Sequence, residues 1–396
     1  MLYQLTEAGY QAYLVGGGAR HLLLQQHPKE IDIATDATPE QVKAVFSNCR
    51  LIGRRFRLAH VYFGREIIEV ATFRSAQPSH HTQHQTDSGM ILRDNAYGSI
   101  EEDALRRDFT INALYYNIRD FSVIDYADGV ADLQAGVIRL LGDPATRYRE
   151  DPVRMLRAAR FAAKLGFHLA QETEAPLWTL AYLLKEVPPA RLFEEIQKLF
   201  MGGTAQACFS QLRHYGLFQA LFPQTESCLQ ESTTALALLE QGLRNTDQRI
   251  KAAQGATPAF LFAVFLWAPV QQRFAQLQKE GLSDFPAIHQ AASEVLEQQL
   301  QQISLPRRFS VVTRNIWVLQ LRLPQIRGKR PLRLLAHPSF RAAYDFLLLR
   351  TQAGEGDQAL ADWWTDFQQD KAPIQKAPKA RQNGRSQRNR KDKAPS

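Results

Sequence analysis

The sequence is poor in cysteine, with only Cys49, Cys208 and Cys228 among 396 residues. Their number is odd, and their positions do not show the close pairing that is typical of zinc sites. Neither a disulfide framework nor a cysteine-held metal is therefore expected. We expect three reduced and mostly buried thiols.

The sequence also lacks long apolar runs. No stretch approaches the roughly 18 to 20 consecutive apolar residues that a membrane helix needs. The N-terminal residues MLYQLTEAGYQ have neither the basic start nor the apolar stretch of a signal peptide. These absences predict a cytoplasmic protein that does not enter a membrane.

Acidic residues are scarce at the C-terminal end. Residues 371–396 contain nine of the 48 Lys and Arg but only one, Asp392, of the 40 Asp and Glu, so this segment carries the whole net charge of +8. It has no aromatic residue and one large aliphatic residue, Ile374, and so cannot bury enough apolar surface to fold. We expect a disordered basic tail that binds a polyanion; a tail that only improves solubility is the alternative.

The first part of the chain mixes strand-like and helix-like patterns. The apolar run Tyr13-Leu14-Val15 ends in Gly16-Gly17-Gly18, and the residues from Ala19 to Leu24 have helix-forming composition. This order predicts a strand, a glycine turn and a helix.

Further strands and a helix are expected downstream. Ile31-Asp32-Ile33 predicts a second strand, and residues 61–63 and 67–73 predict a hairpin that turns at Gly64. Thr38-Pro39-Glu40-Gln41 has the N-cap, proline and glutamine of a helix start, and we expect this helix to continue through Phe46. The sequence therefore predicts an α/β head with a small mixed sheet.

Helical periodicity dominates after Gly142. Asp151-Pro152 predicts the start of a helix that runs to Leu165 and stops at Gly166. We expect the head to span residues 1–140, followed by an all-α neck (141–200), a helical body (201–305), a C-terminal module (306–370) and the basic tail (371–396).

Two features of the head point to phosphate and metal chemistry. The glycine turn lets backbone N–H groups approach phosphate oxygens, and Arg20 at the start of the next helix adds a bidentate donor, although a tight structural turn would explain the glycines equally well. Glu30 and Asp32 lie two residues apart on a strand, so both carboxylates are on one face and could share divalent ions. A solvated strand edge is the alternative explanation for this alternation.

These motifs, taken together, resemble those of bacterial poly(A) polymerases and the related CCA-adding enzymes. The resemblance begins with Leu14 to Gly18 followed by Glu30-Ile31-Asp32, and it continues with the Arg106–Ala113 block RRDFTINA and with Glu150 to Arg157. The stretch from Leu51 to Arg74 is more similar to the poly(A) polymerases. The resemblance implies a polymerase-β-like nucleotidyltransferase head and an RNA-binding role for the C-terminal module (306–370). It also implies template-independent addition of AMP from ATP to RNA 3′ ends.

The resemblance also implies roles for individual residues. Gly16, Gly17 and Arg20 would bind the triphosphate, and Arg107 and Asn112 would contact phosphate and ribose. Three acidic residues would be catalytic, namely Glu30, Asp32 and Asp108. Glu30 and Asp32 would hold Mg²⁺ in a two-metal site, and Glu69, on a predicted strand, is a rival to Asp108 for the third position.

The helix expected after Asp151 is the candidate for adenine recognition. On a helix, Asp151, Arg154 and Arg157 form a fan about 120° wide, so their polar groups can converge on one flat ligand. A carboxylate can accept from the exocyclic amine of adenine while a guanidinium donates to a ring nitrogen. A local ion pair between Asp151 and Arg154 is an alternative that does not exclude this role.

The sequence departs from the family pattern at two positions. Glu30 stands where the first metal-binding Asp is usual, and His21 stands where the family has Asp after the glycine-loop arginine. A catalytically impaired RNA-binding paralogue and a CCA-adding enzyme are therefore alternatives to an active adenylyltransferase. Expected partners are RNA 3′ ends, bound by the helical body and the tail, and a helicase of RNA degradation or an RNA chaperone.

Overall fold

The computed structural model describes residues 1–28, 31–53, 57–64, 66–75, 84–85, 91–93 and 96–371. Glu30, residues 54–56 of the stretch that resembles poly(A) polymerases, and the tail beyond residue 371 lie outside the described residues.

The head contains a seven-stranded mixed sheet, as the sequence predicts. The strands of the described residues are β1 (Ala12–Val15), β2 (Asp32–Thr35), β3 (Cys49–Ile52), β4 (Leu58–Phe63), β5 (Glu66–Thr72), β6 (His84–Gln85), β7 (Ile91–Arg93), β8 (Leu114–Tyr116), β9 (Val123–Asp125), β10 (Val137–Ile138) and β11 (His168–Leu169). The large sheet has the order β3-β4-β5-β2-β1-β8-β9. Strands β2 and β5 are parallel, and the other neighbours in this sheet are antiparallel.

Helices form most of the described chain from residue 142 onward, as the sequence predicts, and five further α-helices lie in the head. They are α1 (Leu2–Glu7), α2 (Gly17–Leu23), α3 (Pro39–Val45), α4 (Ile100–Leu105), α5 (Gly129–Ala135), α6 (Pro144–Glu150), α7 (Val153–Leu165), α8 (Gln171–Glu174), α9 (Leu177–Leu180), α10 (Pro189–Phe200), α11 (Ala205–His214), α12 (Leu217–Leu221), α13 (Pro223–Glu231), α14 (Thr233–Lys251), α15 (Pro258–Phe265), α16 (Trp267–Lys279), α17 (Asp284–Gln302), α18 (Arg307–Gln320), α19 (Arg330–Leu335), α20 (Phe340–Gln352) and α21 (Gln358–Lys371). Within the described ranges, 3₁₀ helices span Thr110–Asn112 and Ala181–Glu186.

The glycine turn joins β1 to α2. Gly16 has φ +61°, a conformation that side chains disfavour, and α2 begins immediately after it at Gly17. A Cβ atom on Gly18 would lie 2.8 Å from Leu14 Cδ1, so this glycine lets the helix pack closely on the strand before it. The predicted strand, turn and helix are confirmed, with the helix starting two residues earlier than the composition of residues 19–24 suggests.

Two other local predictions are confirmed. Thr38 and Gln41 form a capping box at the start of α3, in which the Thr38 N–H donates to Gln41 Oε1 at 2.8 Å. Strands β4 and β5 form an antiparallel hairpin whose turn contains Gly64 at φ +62°.

The helix after Asp151 begins one residue later than predicted, since Pro152 was expected at the first helical position and α7 starts at Val153. Asp151 follows the last residue of α6 and has φ −151°, and α7 begins at Val153 with no side-chain cap. The Asp-Pro pair therefore separates two consecutive helices instead of capping one. The predicted end is confirmed, because α7 stops at Leu165 and Gly166 adopts φ +69°.

One hydrophobic core continues from the head into the helical part. The same buried cluster contains Phe109 of the head, Leu156 of α7 and Trp317 of α18. A separate cluster joins the last helices around Phe340 and Trp364. The domain boundaries near residues 140, 200 and 305 stay predictions.

The expectation of buried thiols is confirmed, since Cys49, Cys208 and Cys228 are free and buried. Burial raises the pKa of the Cys208 thiol to about 11. Among the helices of the described ranges, none combines the length and the apolar character required to cross a bilayer.

Candidate active site

The backbone register of the sheet places the candidate residues Asp32 and Glu69 in one row with residues of β1 and β8. Glu69 of β5 is paired with Asp32 of β2, Asp32 with Val15 of β1, and Val15 with Tyr115 of β8. Neighbouring strands are about 4.8 Å apart, and residues in direct register have side chains on the same face. Since Gly16 follows Val15, the glycine turn begins one strand away from Asp32.

Asp32 and Glu69 are the carboxylates that this register places side by side. Both residues are half-buried, and Glu69 Oε2 lies 3.3 Å from His60 Nε2 on β4. Within the part of the chain that the structure describes, no three His, Cys, Asp or Glu side chains form a group that could hold a metal ion. Glu30, outside the described residues, precedes β2 by two positions.

Two carboxylates on neighbouring strands are a donor set that fits Mg²⁺. This ion keeps several water ligands and is usually bound by one or two carboxylates together with substrate phosphates. Asp32 and Glu69 supply hard, charged oxygen atoms at the position where the glycine turn begins.

Two guanidinium groups border the glycine turn. A Cβ atom on Gly16 would lie 3.7 Å from Arg107 Nη1, and one on Gly17 would lie 3.8 Å from Arg20 Nη2. The turn, Arg20 and Arg107 are therefore brought together, as the resemblance implies. An anion bound to the backbone of the turn would lie in a positive environment.

Arg107 is held in place by Asp103 and Tyr115. Its Nη2 donates to Asp103 Oδ2 at 3.0 Å and its Nε donates to the Tyr115 hydroxyl at 2.8 Å, while the hydroxyl donates to the same carboxylate at 2.6 Å. Burial opposes the charge of Arg107, but Asp103 and Tyr115 outweigh it and raise the pKa of the guanidinium above its usual value. Arg107 is thus a permanent, oriented cation whose Nη1 faces the turn.

Asp108 lies at the centre of a different network. Its Oδ1 accepts from the Phe109 N–H at 2.8 Å and from Asn112 Nδ2 at 3.1 Å, and its Oδ2 accepts from Arg157 Nε at 2.7 Å. Burial by itself would raise the pKa of Asp108, but Arg157, Asn112 and the Phe109 N–H lower it to about 2. Both oxygens of this ionised carboxylate are occupied by protein donors.

Asn112 links this network to Arg20. Its Oδ1 accepts from Arg20 Nη1, and Arg20 is only 2% exposed. The Arg20 guanidinium also lies over the ring of Phe161, 5.0 Å from its centroid. Burial lowers the pKa of Arg20 to about 10, so the side chain stays charged at neutral pH.

Only one of the three residues proposed for adenine recognition joins this network. Arg157 contacts Asp108, whereas Asp151 Oδ2 accepts from Arg191 Nη2 at 2.7 Å. Arg154 Nη1 donates to Glu150 Oε2 at 3.1 Å. Because Asp151 lies outside the helix, the 120° fan that an uninterrupted helix would give does not describe these side chains.

The sequence patterns did not predict several residues of the site. Asp103 and Tyr115 orient Arg107, Arg191 pairs with Asp151, and Phe161 lies beneath the guanidinium of Arg20. Two of them could have been found, because Asp103 precedes Arg107 by four residues and Phe161 follows Arg157 by four, which is the spacing of neighbours on a helix.

Comparison with protein-family models identifies the chain. Residues 12–139 match the Poly A polymerase head domain, residues 166–229 match the probable RNA and SrmB-binding site of polymerase A, and residues 280–396 match the polymerase A arginine-rich C-terminus. The chain belongs to the poly(A) polymerase family. Membership covers the head and the helical part alike.

Individual relatives agree with membership of the poly(A) polymerase family. Poly(A) polymerase I of Salmonella typhimurium is 51% identical over 385 residues, which cover 95% of this chain and 83% of the relative. The CCA-adding enzyme of Lactobacillus helveticus is 37% identical over 209 residues, covering 53% of this chain and 51% of the relative. A solved tRNA nucleotidyltransferase with primer tRNA and an ATP analogue, 23% identical and with a TM-score of 0.63, shares the fold over 94% of this chain and 100% of its own.

Proposed function

We propose that this protein is a template-independent polynucleotide adenylyltransferase that transfers AMP from ATP to RNA 3′ ends. In the reaction, the primer 3′-hydroxyl attacks the α-phosphate and pyrophosphate leaves. The observation that carries the proposal is the register of Asp32 and Glu69 beside the glycine turn, in a chain that is 51% identical to Poly(A) polymerase I. The CCA-adding relative covers only 53% of this chain, so that alternative has weaker support.

We propose that Asp32 and Glu69, together with Glu30, hold Mg²⁺. When bound, divalent ions at such a site neutralise charge on the triphosphate and favour ionisation of the attacking hydroxyl. Supporting this assignment, Asp32 and Glu69 are paired across neighbouring strands beside the glycine turn. Asp108 lies in a network with Arg157 and Asn112. We therefore assign Asp108 to positioning of Arg157 and Asn112.

The glycine turn and Arg107 are proposed to bind the triphosphate. The backbone N–H groups of Gly16 and Gly17 would approach the phosphates from the turn, and Arg107 would donate through the Nη1 that faces it. Arg20 lies behind the turn against Asn112 and would support it from inside the protein. Contact between Asn112 and the ribose stays a prediction.

Recognition of adenine by Asp151 and Arg154 also stays a prediction. A bound base would have to compete with Arg191 for Asp151 and with Glu150 for Arg154, or bind after these pairs rearrange. Arg157, which holds Asp108, would act on the nucleotide only through that carboxylate.

The reaction can be tested with purified protein, Mg²⁺, a short RNA primer and each of the four nucleoside triphosphates separately. We expect AMP to be added in large excess over the other nucleotides. Efficient CMP addition would indicate a CCA-adding enzyme, and RNA binding without any nucleotide addition would indicate an impaired paralogue. In parallel, Glu30→Asp tests the departure from the family pattern: a lower rate would show that the site has adapted to the longer side chain, and a many-fold rise would show that Glu30 is a lesion.

We propose that the tail contributes to RNA binding through its charge. Removing residues 372–396 is expected to weaken binding to single-stranded RNA and to flatten the dependence of affinity on salt, because each phosphate contact contributes about 0.7 to the logarithmic slope. The measurement is a salt titration of RNA affinity for both proteins. An unchanged slope would contradict the proposal, and a helicase or RNA-chaperone partner stays a prediction.

A further inference from the structure

Trp178 is unusual among the five tryptophans of the sequence because it is exposed to solvent. It is 52% exposed, whereas Trp267, Trp317 and Trp364 are 5%, 0% and 0% exposed and Trp363 is half-buried. An exposed indole leaves a large apolar surface in water, which is a common property of binding surfaces. Trp178 lies on α9, outside the candidate active site.

Neighbouring rings fix the orientation of Trp178. The indole lies 4.9 Å from the ring of His214 at 75° and 5.3 Å from that of Tyr215 at 66°, centroid to centroid. Neither ring is parallel to the indole, so neither stacks flat against it. Tyr215 is itself anchored, because its hydroxyl donates to Glu174 Oε1 at 2.9 Å.

A second exposed ring and a cation follow on the next helix. Tyr182 is 56% exposed and lies in the 3₁₀ helix that spans residues 181–186. In a 3₁₀ helix the side chains at positions i and i+3 eclipse each other, so exposed Lys185 lies on the same side as Tyr182. Glu186, the next residue, is rotated from Lys185 by about 120° around the helix axis.

The carboxylates that precede Trp178 on the chain are already engaged. Glu174 accepts from Tyr215, and Glu172 pairs with Arg139. Lys185 is exposed and places a positive charge on the same side as Tyr182. Two open rings and a lysine form a combination that suits bases and a phosphate of single-stranded nucleic acid.

We propose that Trp178 and Tyr182, exposed rings four residues apart on consecutive helical turns, form a stacking platform for unpaired bases of the RNA primer, and that Lys185 contacts a phosphate beside Tyr182. The proposal rests on the proposed function, which makes RNA the substrate. All three residues lie within residues 166–229, the segment that matches the probable RNA and SrmB-binding site of polymerase A. Stacking accepts any base, as a template-independent enzyme requires.

The test compares wild type with Trp178→Ala and Trp178→Phe for binding of a short oligo(A), measured without ATP. We expect Trp178→Ala to raise the dissociation constant about tenfold, since stacking on an aromatic side chain strengthens binding roughly 5- to 150-fold per base. Trp178→Phe should restore most of the affinity. Tyr3→Ala is the matched control, because Tyr3 is as exposed as Tyr182 but lies on α1, and it should not change binding.

Fluorescence provides a readout that a merely structural role would not produce. Oligo(A) should quench the tryptophan emission of wild type by stacking on Trp178, and the quenching should disappear in Trp178→Phe, which keeps the four other tryptophans. In the extension assay, Trp178→Ala should raise KM for the primer and leave kcat unchanged.

Equal affinity for oligo(A) in wild type and Trp178→Ala, with no quenching, would overturn the proposal. Binding and quenching are measured without nucleotide transfer. A wild-type protein that shows both but adds no AMP would therefore contradict the proposed function and leave the stacking platform intact.

Discussion

Replacing Asp32 with Asn is expected to lower the rate of AMP addition at least about a thousandfold while RNA affinity stays unchanged. Loss of one preorganised group that stabilises transition-state charge typically costs about a hundred- to a thousandfold, and a carboxylate that also holds a metal ion contributes at least this much. Asp32 is half-buried, and its register with Glu69 and Val15 places it beside the glycine turn. The measurement is single-turnover extension of a labelled primer, with binding determined separately.

Glu69→Gln should also lower the rate of AMP addition, and the same strand supplies a control. Glu66 is an exposed carboxylate at the start of β5, three residues from Glu69 and therefore on the opposite face. Glu66→Gln should retain the wild-type rate. If Asp32→Asn kept more than about a tenth of that rate, the metal-binding assignment would be wrong.

Replacing Asp108 with Asn is expected to destabilise the fold by about 3 kcal/mol at neutral pH. The substitution removes the charge that compensates Arg157 in a buried network, and breaking a buried ion pair typically costs about 3 to 5 kcal/mol. Asp108 is well shielded, since its side chain is only 12% exposed. Chemical denaturation of wild type and variant measures the difference.

The pH dependence of this difference follows from the pKa of Asp108. The carboxyl has a pKa of about 2 in the folded protein against 3.8 for the unperturbed group, so its ionised form stabilises the fold above the unfolded pKa. This contribution, about 2 kcal/mol, is lost as the pH falls through the range from about 5 to 2. The stability gap between wild type and Asp108→Asn should therefore narrow with acidification.

An exposed carboxylate provides the comparison. Asp120 lies in the turn between β8 and β9 and accepts hydrogen bonds from Ser122 alone among the contacts described for its side chain. Asp120→Asn should leave the stability of the fold nearly unchanged at neutral pH. A gap for Asp108→Asn that did not vary with pH would show that Asp108 is not ionised in the folded protein.

Local features of the fold could be predicted from the sequence because each has a local cause. Gly16 permits a positive φ between a strand and a helix, Thr38 and Gln41 cap α3 reciprocally, and Gly64 turns a hairpin of alternating residues. Backbone sterics and short-range hydrogen bonds decide these features, and both depend on residue types a few positions apart.

Contacts of the site that join distant segments could not be obtained in the same way. Asp32 and Glu69 become neighbours through parallel pairing of β2 and β5, and Asp108 meets Arg157 across 49 residues. Periodicity assigns a residue to a strand or a helix but does not determine which strand pairs with which. For this reason the sequence left Glu69 and Asp108 as rivals, and we propose Glu69 because of its register with Asp32.

The position of Asp151 between two helices has a different origin. Asp followed by Pro is a common way to begin a helix, and the residues after it are strongly helical. The preceding residues, however, already form α6 with its own cap at Asp143, so Asp151 became the connection between two helices and its carboxylate pairs with Arg191. Local propensity could not distinguish these outcomes because the competing helix satisfies the same rules.

The central claim, that Asp32 and Glu69 hold the divalent ion beside the glycine turn, is tested most directly by electron paramagnetic resonance with Mn²⁺ and a non-hydrolysable ATP analogue. We predict that wild type and Glu66→Gln bind Mn²⁺ together with the nucleotide, and that Asp32→Asn and Glu69→Gln each weaken this binding more than about tenfold. Full Mn²⁺ binding by a folded protein carrying both Asp32→Asn and Glu69→Gln would contradict the account.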